Sequence, residues 1–425
     1  NQDLMLLINI KTVDRFLEHG FTDSSAYAYS SLAVVTHSVL GMSRIGFVLW
    51  DLVAELSPRT KSDFMKGKLN YILEAFSTHW REPVGDNLDG ILETIKKCII
   101  NGDPHFTGYA ITNYISKKMA AGYQIQDVLD WSIDKIEYLK RNKHFSGLDF
   151  SAPKVQLLKA LAGKTSYFGE WDDSSFSGRN FLESIHERGN QSALGHYYCT
   201  RVTLLFYFEK YREAIETSDE GRPSYPFIVG QWLVPEWEFY SAMSIAANYA
   251  KFSNAEKRKR IRAFKKSLKL MKKWAKHCPE NFNPFFFLMQ AELSAIEGHF
   301  RNTIELYEQS IKAASDSGFI QIEAIANKRA ALFLNEQGHT KIARTFLKSA
   351  LSPPCPLIAL KSDNICGTGK AQYASICFPR SPAGIGSASS LLSKYGMLLS
   401  GNASTLTFSS IVDLSNISNC SSNVN

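Results

Sequence analysis

The stretch WAKHCPENFNPFFFLM, residues 274–289, places an imidazole, a thiol and a carboxylate at His277, Cys278 and Glu280, just ahead of three phenylalanines. Such groups could serve as base, nucleophile and orienting carboxylate, or as metal ligands. Nucleophilic catalysis needs the base and its orienting group to converge in space on the nucleophile. Near-adjacent loop residues seldom converge in that way, so the residue types favour a corner between two helices. On that reading a first helix ends near Lys276–His277, where cationic side chains suit the C-terminal dipole. Pro279 blocks its continuation, Asn283 caps the next helix, Pro284 takes that helix's first position, and Cys278 tucks into the core. Phe285, Phe286 and Phe287 span most of a turn and cannot all face one core. They predict a helix buried on several sides, with a ligand pocket as the alternative.

A second cluster lies immediately upstream, in KRKRIRAFKKSLKLMKKWAKH. Ile261, Phe264, Leu268, Met271 and Ala275 recur at helical spacing, while Lys257, Arg258, Arg262, Lys265, Lys266, Lys269, Lys272 and Lys273 occupy the other faces. This is a basic amphipathic helix, a pattern shared by membrane-surface, calmodulin-target-like and nucleic-acid-contacting helices. The plainer reading is an outer helix whose apolar stripe packs into a helical array. Between Lys251 and Lys276 twelve Lys or Arg face one acid, Glu256, whereas the whole chain carries a formal charge of +7. The remainder is therefore mildly acidic, unlike a generally basic nucleic-acid binder.

The other chemical candidates are weaker. GTGK at 367–370 resembles the end of a phosphate loop, but that motif needs glycine where Asn364 stands and Ser or Thr where Ala371 stands. His79 and His105 are lone histidines near helix ends and read as structural. Of the seven cysteines, Cys98, Cys199 and Cys278 are isolated in helical patterns, and Cys355, Cys366, Cys377 and Cys420 all follow residue 350. No CxxC pair occurs and no histidine accompanies the late cysteines, so no zinc site is expected. Nothing calls for a cofactor, a metal or a small-molecule substrate. The thiol pattern fits a reducing compartment, and the cytoplasm is expected. Sequons at Asn190, Asn402, Asn416 and Asn419 would matter only under secretion.

These groups must be held by helices. The 425 residues are 44% hydrophobic and 21% charged, a globular composition long enough for two or three domains or one repeat array. No apolar run approaches the eighteen residues or so of a membrane-spanning helix. The opening NQDLMLLINIK has neither a basic leader nor an initiator Met and reads as an excised fragment. Up to about residue 350 the periodicity is helical, as in GILETIKKCIINGD, where Ile91, Ile95, Cys98 and Ile99 precede a stop at Gly102. Ile304, Tyr307 and Ile311 do the same ahead of Gly318. The prolines before residue 350, among them Pro153 and Pro284, are expected at helix boundaries.

The helices repeat. Gly298, Phe300, Thr303 and Tyr307 are echoed by Gly338, Ala343, Leu347 and Ala350, and by Tyr211, Ala214 and Ser218 in an earlier segment. Gly102 with Ala110 matches Gly318 with Ala326. Small residues let the helices of a hairpin approach and aromatics fill the groove, the logic of tetratricopeptide-like hairpins, whose stacking buries what one hairpin cannot. At Ser352 the character changes to a tail rich in Ser, Gly and Pro with little charge, read as irregular.

The run from KSLKLMKKWAKHCPENF through AELSAIEGHFRNTIELY to TKIARTFLKSA resembles a helical region of large multidomain signalling proteins, and the likeness extends back to FLEHGFTDSSAYAYSSLAVV. In those proteins a serine/threonine-kinase-like domain and a signal-transduction ATPase precede the region, and GAF and histidine-kinase or other output domains follow it. The resemblance implies an all-α fold, a tetratricopeptide-like array of helical hairpins (an α-solenoid) over residues 1–350, and an irregular tail over 351–425. The tail begins where the family's last helix would continue, as an out-of-frame reading would produce. The resemblance further implies no catalytic residues here, but a non-enzymatic interaction and regulatory module. Its partners would be the ATPase, kinase and GAF or output modules, in cis or in trans. The alternative function is nucleic-acid or anionic-membrane binding through the helix at 257–276.

Overall fold

Five helix starts carry a side chain that satisfies a free backbone N–H group. Ser62 accepts from Met65 N, Asp103 from Phe106 N ahead of Pro104, Ser177 from Asn180 N and Asn190 from Ala193 N. Ser253 and Glu256 form a complete capping box. Several helices end at glycine, and Gly298 and Gly338 take φ of +81° and +83°, a left-handed turn that a side chain would strain.

The computed structural model describes residues 2–351 apart from Phe168. Among the described residues there are seventeen α-helices and no strand. They are α1 (Gln2–His19), α2 (Ser25–Val34), α3 (Ser43–Leu56), α4 (Asp63–Phe76), α5 (Leu88–Ile100), α6 (Pro104–Ala120), α7 (Ile125–Arg141), α8 (Phe145–Leu161) and α9 (Gly178–Glu187). There follow α10 (Gln191–Tyr207), α11 (Tyr211–Gly221), α12 (Leu233–Ala247), α13 (Asn254–Ala275), α14 (Pro279–Ile296), α15 (Phe300–Asp316), α16 (Ile320–Glu336) and α17 (Thr340–Leu351). The all-α expectation holds. The expected irregular tail, its four cysteines, its sequons and GTGK lie outside the described residues.

The helices form two layers. From α2 to α16 each even-numbered helix packs on the next even-numbered one, while α5, α7, α11, α13, α15 and α17 cover them from outside. Inner helices such as α10, α12 and α16 are buried on most sides, whereas α15 and α17 bury a single stripe. Ala110 and Ala326, matched by the repeat, are both fully buried. α6 and α8 meet at glycines: a Cβ on Gly108 would lie 2.3 Å from Gly147 Cα.

Two prolines depart from the expected boundaries. Pro153 lies inside α8, and Pro284 lies inside α14, which begins at Pro279 with Cys278 at its cap, not at Asn283. Pro279 occupies a first position where a missing N–H costs nothing. Pro284 leaves the Glu280 carbonyl without a helical donor, yet Glu280 is exposed and water can serve it. What draws the first turn of α14 in is tertiary: Asn281 and Phe282 are both fully buried. Asn281 Oδ1 accepts from Val84 N at 2.8 Å, and its Nδ2 donates to His79 O at 2.8 Å and Glu82 O at 2.7 Å. Phe282 stacks on Trp80 at 5.5 Å and on Trp232 at 5.9 Å. Further along, Gln321 Nε2 donates to Ala120 O at 2.8 Å. The layer thus closes on itself, with contacts that go beyond neighbour-to-neighbour stacking.

Replacing Asn281 with alanine strands two buried backbone groups and a third that is partly buried, so the expected loss is roughly 3–5 kcal/mol in urea unfolding. A loss below about 1 kcal/mol would show that water replaces the carboxamide without penalty.

Candidate functional site

The corner at 276–281 does not assemble a reactive centre. Cys278 is 1% exposed, and burial, with Glu280 close by, pushes its thiol up to about 12. Its Sγ donates to Glu280 Oε2 at 3.6 Å. His277 turns the other way, with its ring edge-on to Phe47 at 5.3 Å and 6.4 Å from His37. The thiol is therefore protonated near neutrality, with a carboxylate and not an imidazole beside it. Cys98 and Cys199 are likewise buried and free. Phe285 enters the core against Phe239 and Phe319, and Phe286 and Phe287 are half-buried. His79 is fully buried, its ring 4.5 Å from that of Trp80. Among the described residues no group of three His, Cys, Asp or Glu could hold a metal ion.

The basic segment forms α13 as the spacing predicts. Phe264 and Met271 are fully buried and Ala275 nearly so, Ile261 and Leu268 are half-buried, and the helix packs on α12 and α14. Arg258, Arg262, Lys265, Lys269, Lys272 and Lys276 follow one another at intervals of four and three, so they share one exposed face. At 1.5 Å per residue that row runs about 27 Å. One acid reaches the row itself, Glu297 at 3.0 Å from Lys265, and Asp219 lies 2.7 Å from Arg260 beside it. Lys273 Nζ donates to Gly41 O at 2.8 Å, and Lys257 sits 5.4 Å above the Tyr249 ring. Arg258, Arg262, Lys266, Lys269 and Lys272 have no carboxylate partner among the described residues.

One feature has no local sequence pattern. A cavity of about 660 Å³ opens between α1, α2, α4, α6, α8, α10 and the segment leading into α12. Tyr27, Tyr71, Phe76, Phe106, Tyr109, Phe150 and Trp232 line it, together with His196, Gln231 and Asn113. Its wall includes Val35, whose carbonyl accepts from Leu40 N at 3.0 Å across a wide turn that interrupts the helix after α2. Such π-type turns occur often at functional sites.

The interior also holds charge that reads as solvated from sequence. Lys117 is 1% exposed and donates to Glu74 O and Thr78 Oγ1, each at 2.7 Å, and burial lowers it to about 8. Lys154, equally buried, pairs with Glu236 at 2.9 Å. Arg329 clasps Glu292 through two bonds of 2.7 and 2.6 Å, while Tyr307 donates to the same carboxylate at 2.8 Å. Comparison with protein-family models finds no match, and comparison with curated proteins finds none either.

Three buried histidines set an acid limit. Burial, reinforced by nearby cations, lowers His37 to about 4 and His196 to about 3, and holds His79 well below its ordinary value. Each is neutral when folded but takes a proton below about pH 6.5 when unfolded, so stability is intact above that value and is lost as pH falls. At about pH 5 the loss is of order 2 kcal/mol for each of His37 and His196. Urea unfolding between pH 7 and 5 tests this, and a flat profile contradicts neutral burial.

Proposed function

We propose that the chain is a non-catalytic helical-repeat interaction module. It is a tetratricopeptide-like solenoid that relays signals by protein–protein contact within a cytoplasmic multidomain signalling ATPase or sensor kinase. The observation that carries this reading is the row on α13, a straight exposed line of cations that the chain's own carboxylates leave largely unpaired. Its counterpart would be an acidic face of an ATPase, kinase, GAF or output module, in cis or in trans. Small rigid-body shifts of packed hairpins would carry the signal onward.

The chemistry of α13 favours a protein partner over the alternatives. Membrane-surface and calmodulin-target helices must present their apolar face to the partner. Here Phe264 and Met271 are buried against the neighbouring helices. Single-stranded nucleic acids are held by stacking on aromatic rings. The one aromatic in the basic stretch outside the buried stripe, Trp274, is half-buried against Trp80. What remains for a duplex is phosphate contact alone, and that is the second reading.

The test titrates a Glu-rich helical peptide, a short DNA duplex and phosphatidylserine vesicles into the chain across a salt series. The peptide should bind, weaken with salt, and lose roughly tenfold or more in affinity in the Lys265→Glu/Lys269→Glu variant. Tighter binding to the duplex transfers the row to nucleic acid. No binding to any of the three at low salt removes it as an interaction site.

A further inference from the structure

We infer that the cavity walled by α2, α4, α6, α8 and α10 binds a neutral, ring-containing small molecule carrying one hydrogen-bond donor and one acceptor. The inference is independent of the interaction reading, because no residue of α13 lines the cavity. At about 660 Å³ the space lies within the range of small-molecule sites and far above that of a packing defect. No Asp, Glu, Lys or Arg lines it, so nothing there would compensate a ligand charge.

Ring chemistry follows from the walls. Tyr71 stands edge-on to Phe106 at 5.3 Å, Tyr109 edge-on to Phe150 at 4.8 Å, and Phe150 edge-on to His196 at 4.8 Å. Such a set offers both faces and edges to a further aromatic ring.

The polar requirement comes from two buried atoms that the protein leaves unmatched. His196 is 6% exposed, and its Nε2 meets Gln231 Oε1 at 3.0 Å. The amide oxygen can only accept, so Nε2 carries the proton and Nδ1 is a bare acceptor, buried and without a partner. Asn113, also on the cavity wall, has its Nδ2 donor buried without a partner. An unmet buried polar atom costs about 1–3 kcal/mol, and native proteins rarely leave two in one place. A ligand donor to His196 Nδ1 and a ligand acceptor from Asn113 Nδ2 would satisfy both. Access is by the rim, where Phe227 and Val39 are 41% and 59% exposed. Because the walls belong to successive inner helices, an occupant would tie them together and stiffen that part of the layer.

N-phenylnaphthylamine is a suitable probe: neutral, two linked ring systems and one N–H. Titrated into the full chain, it should bind at one saturable site with a rise in fluorescence. Its charged relative, anilinonaphthalene sulfonate, should bind at least about tenfold more weakly. Ser31→Trp, which fills the cavity from α2, should abolish saturable binding. If that variant does not fold, Val39→Trp at the rim replaces it with the same expectation. His196→Phe keeps the ring but removes the acceptor, and should weaken the probe about five- to tenfold while the thermal midpoint stays near that of the parent. Absent or non-saturable binding, equal binding of both probes, or indifference to the blocking variant overturns the proposal. A His196→Phe variant that loses stability but keeps full affinity assigns the histidine to packing and removes the donor from the ligand's description.

Discussion

The carboxamide of Asn281 does what no apolar contact could do. The segment around residues 79–84 is largely irregular, so its peptide groups lack a regular ladder of partners, and burying them unpaired would be prohibitive. Asn281 presents one acceptor and two donor hydrogens, and three backbone groups of that segment, those of His79, Glu82 and Val84, use them all. Only with this match made can Trp80 lie between Trp274 and Phe282, with its Nε1 donating to Gly230 O at 3.3 Å. The partners lie about two hundred residues apart in the chain. Early and late helices therefore depend on each other, unlike a linear array whose repeats are stabilised only by their neighbours.

The ionic groups inside the layers have a related role. Glu292 on α14 joins Tyr307 on α15 and Arg329 on α16, and Glu236 on α12 joins Lys154 on α8. Buried pairs of this kind add little net stability over well-packed apolar residues, but losing one partner leaves an uncompensated charge. They act as registers: a helix that slips by one turn breaks its pair. On the proposed relay reading such discrete settings would matter, since packed interfaces respond by switching between arrangements and not by bending smoothly.

Much of this was legible in the residues, and the boundary of legibility is physical. The all-α class, the glycine stops at Gly102 and Gly318 and the buried stripe of α13 follow from periodicity and local conformational cost, which a short window contains. A helix-to-helix corner at His277 and Cys278 was legible, but its details were not. Asn283 and Pro284 look like a cap and a first position until Asn281 is known to have partners far upstream, and tertiary bonding then outweighs local propensity. Pro153 misled in the same way, within a helix whose surroundings hold it on nearly every side. The cavity was invisible because Tyr27, Asn113, His196 and Trp232 converge only in three dimensions. Lys117 and Lys154 look in sequence like any surface lysine, and their burial depends on acceptors supplied by other helices.

The contact of Gly108 with Gly147 bears on how this chain can change over generations. Most tight packing contacts can drift in pairs, one side chain shrinking as its neighbour grows. Here the obstacle to a methyl group on either helix is the other helix's backbone, and both positions already carry the smallest residue. No compensating substitution at the facing position exists, so the first step of any such exchange is closed from both sides. Tyr109 and Phe150 follow these glycines closely in sequence, and the spacing between their rings is thereby shielded from gradual revision.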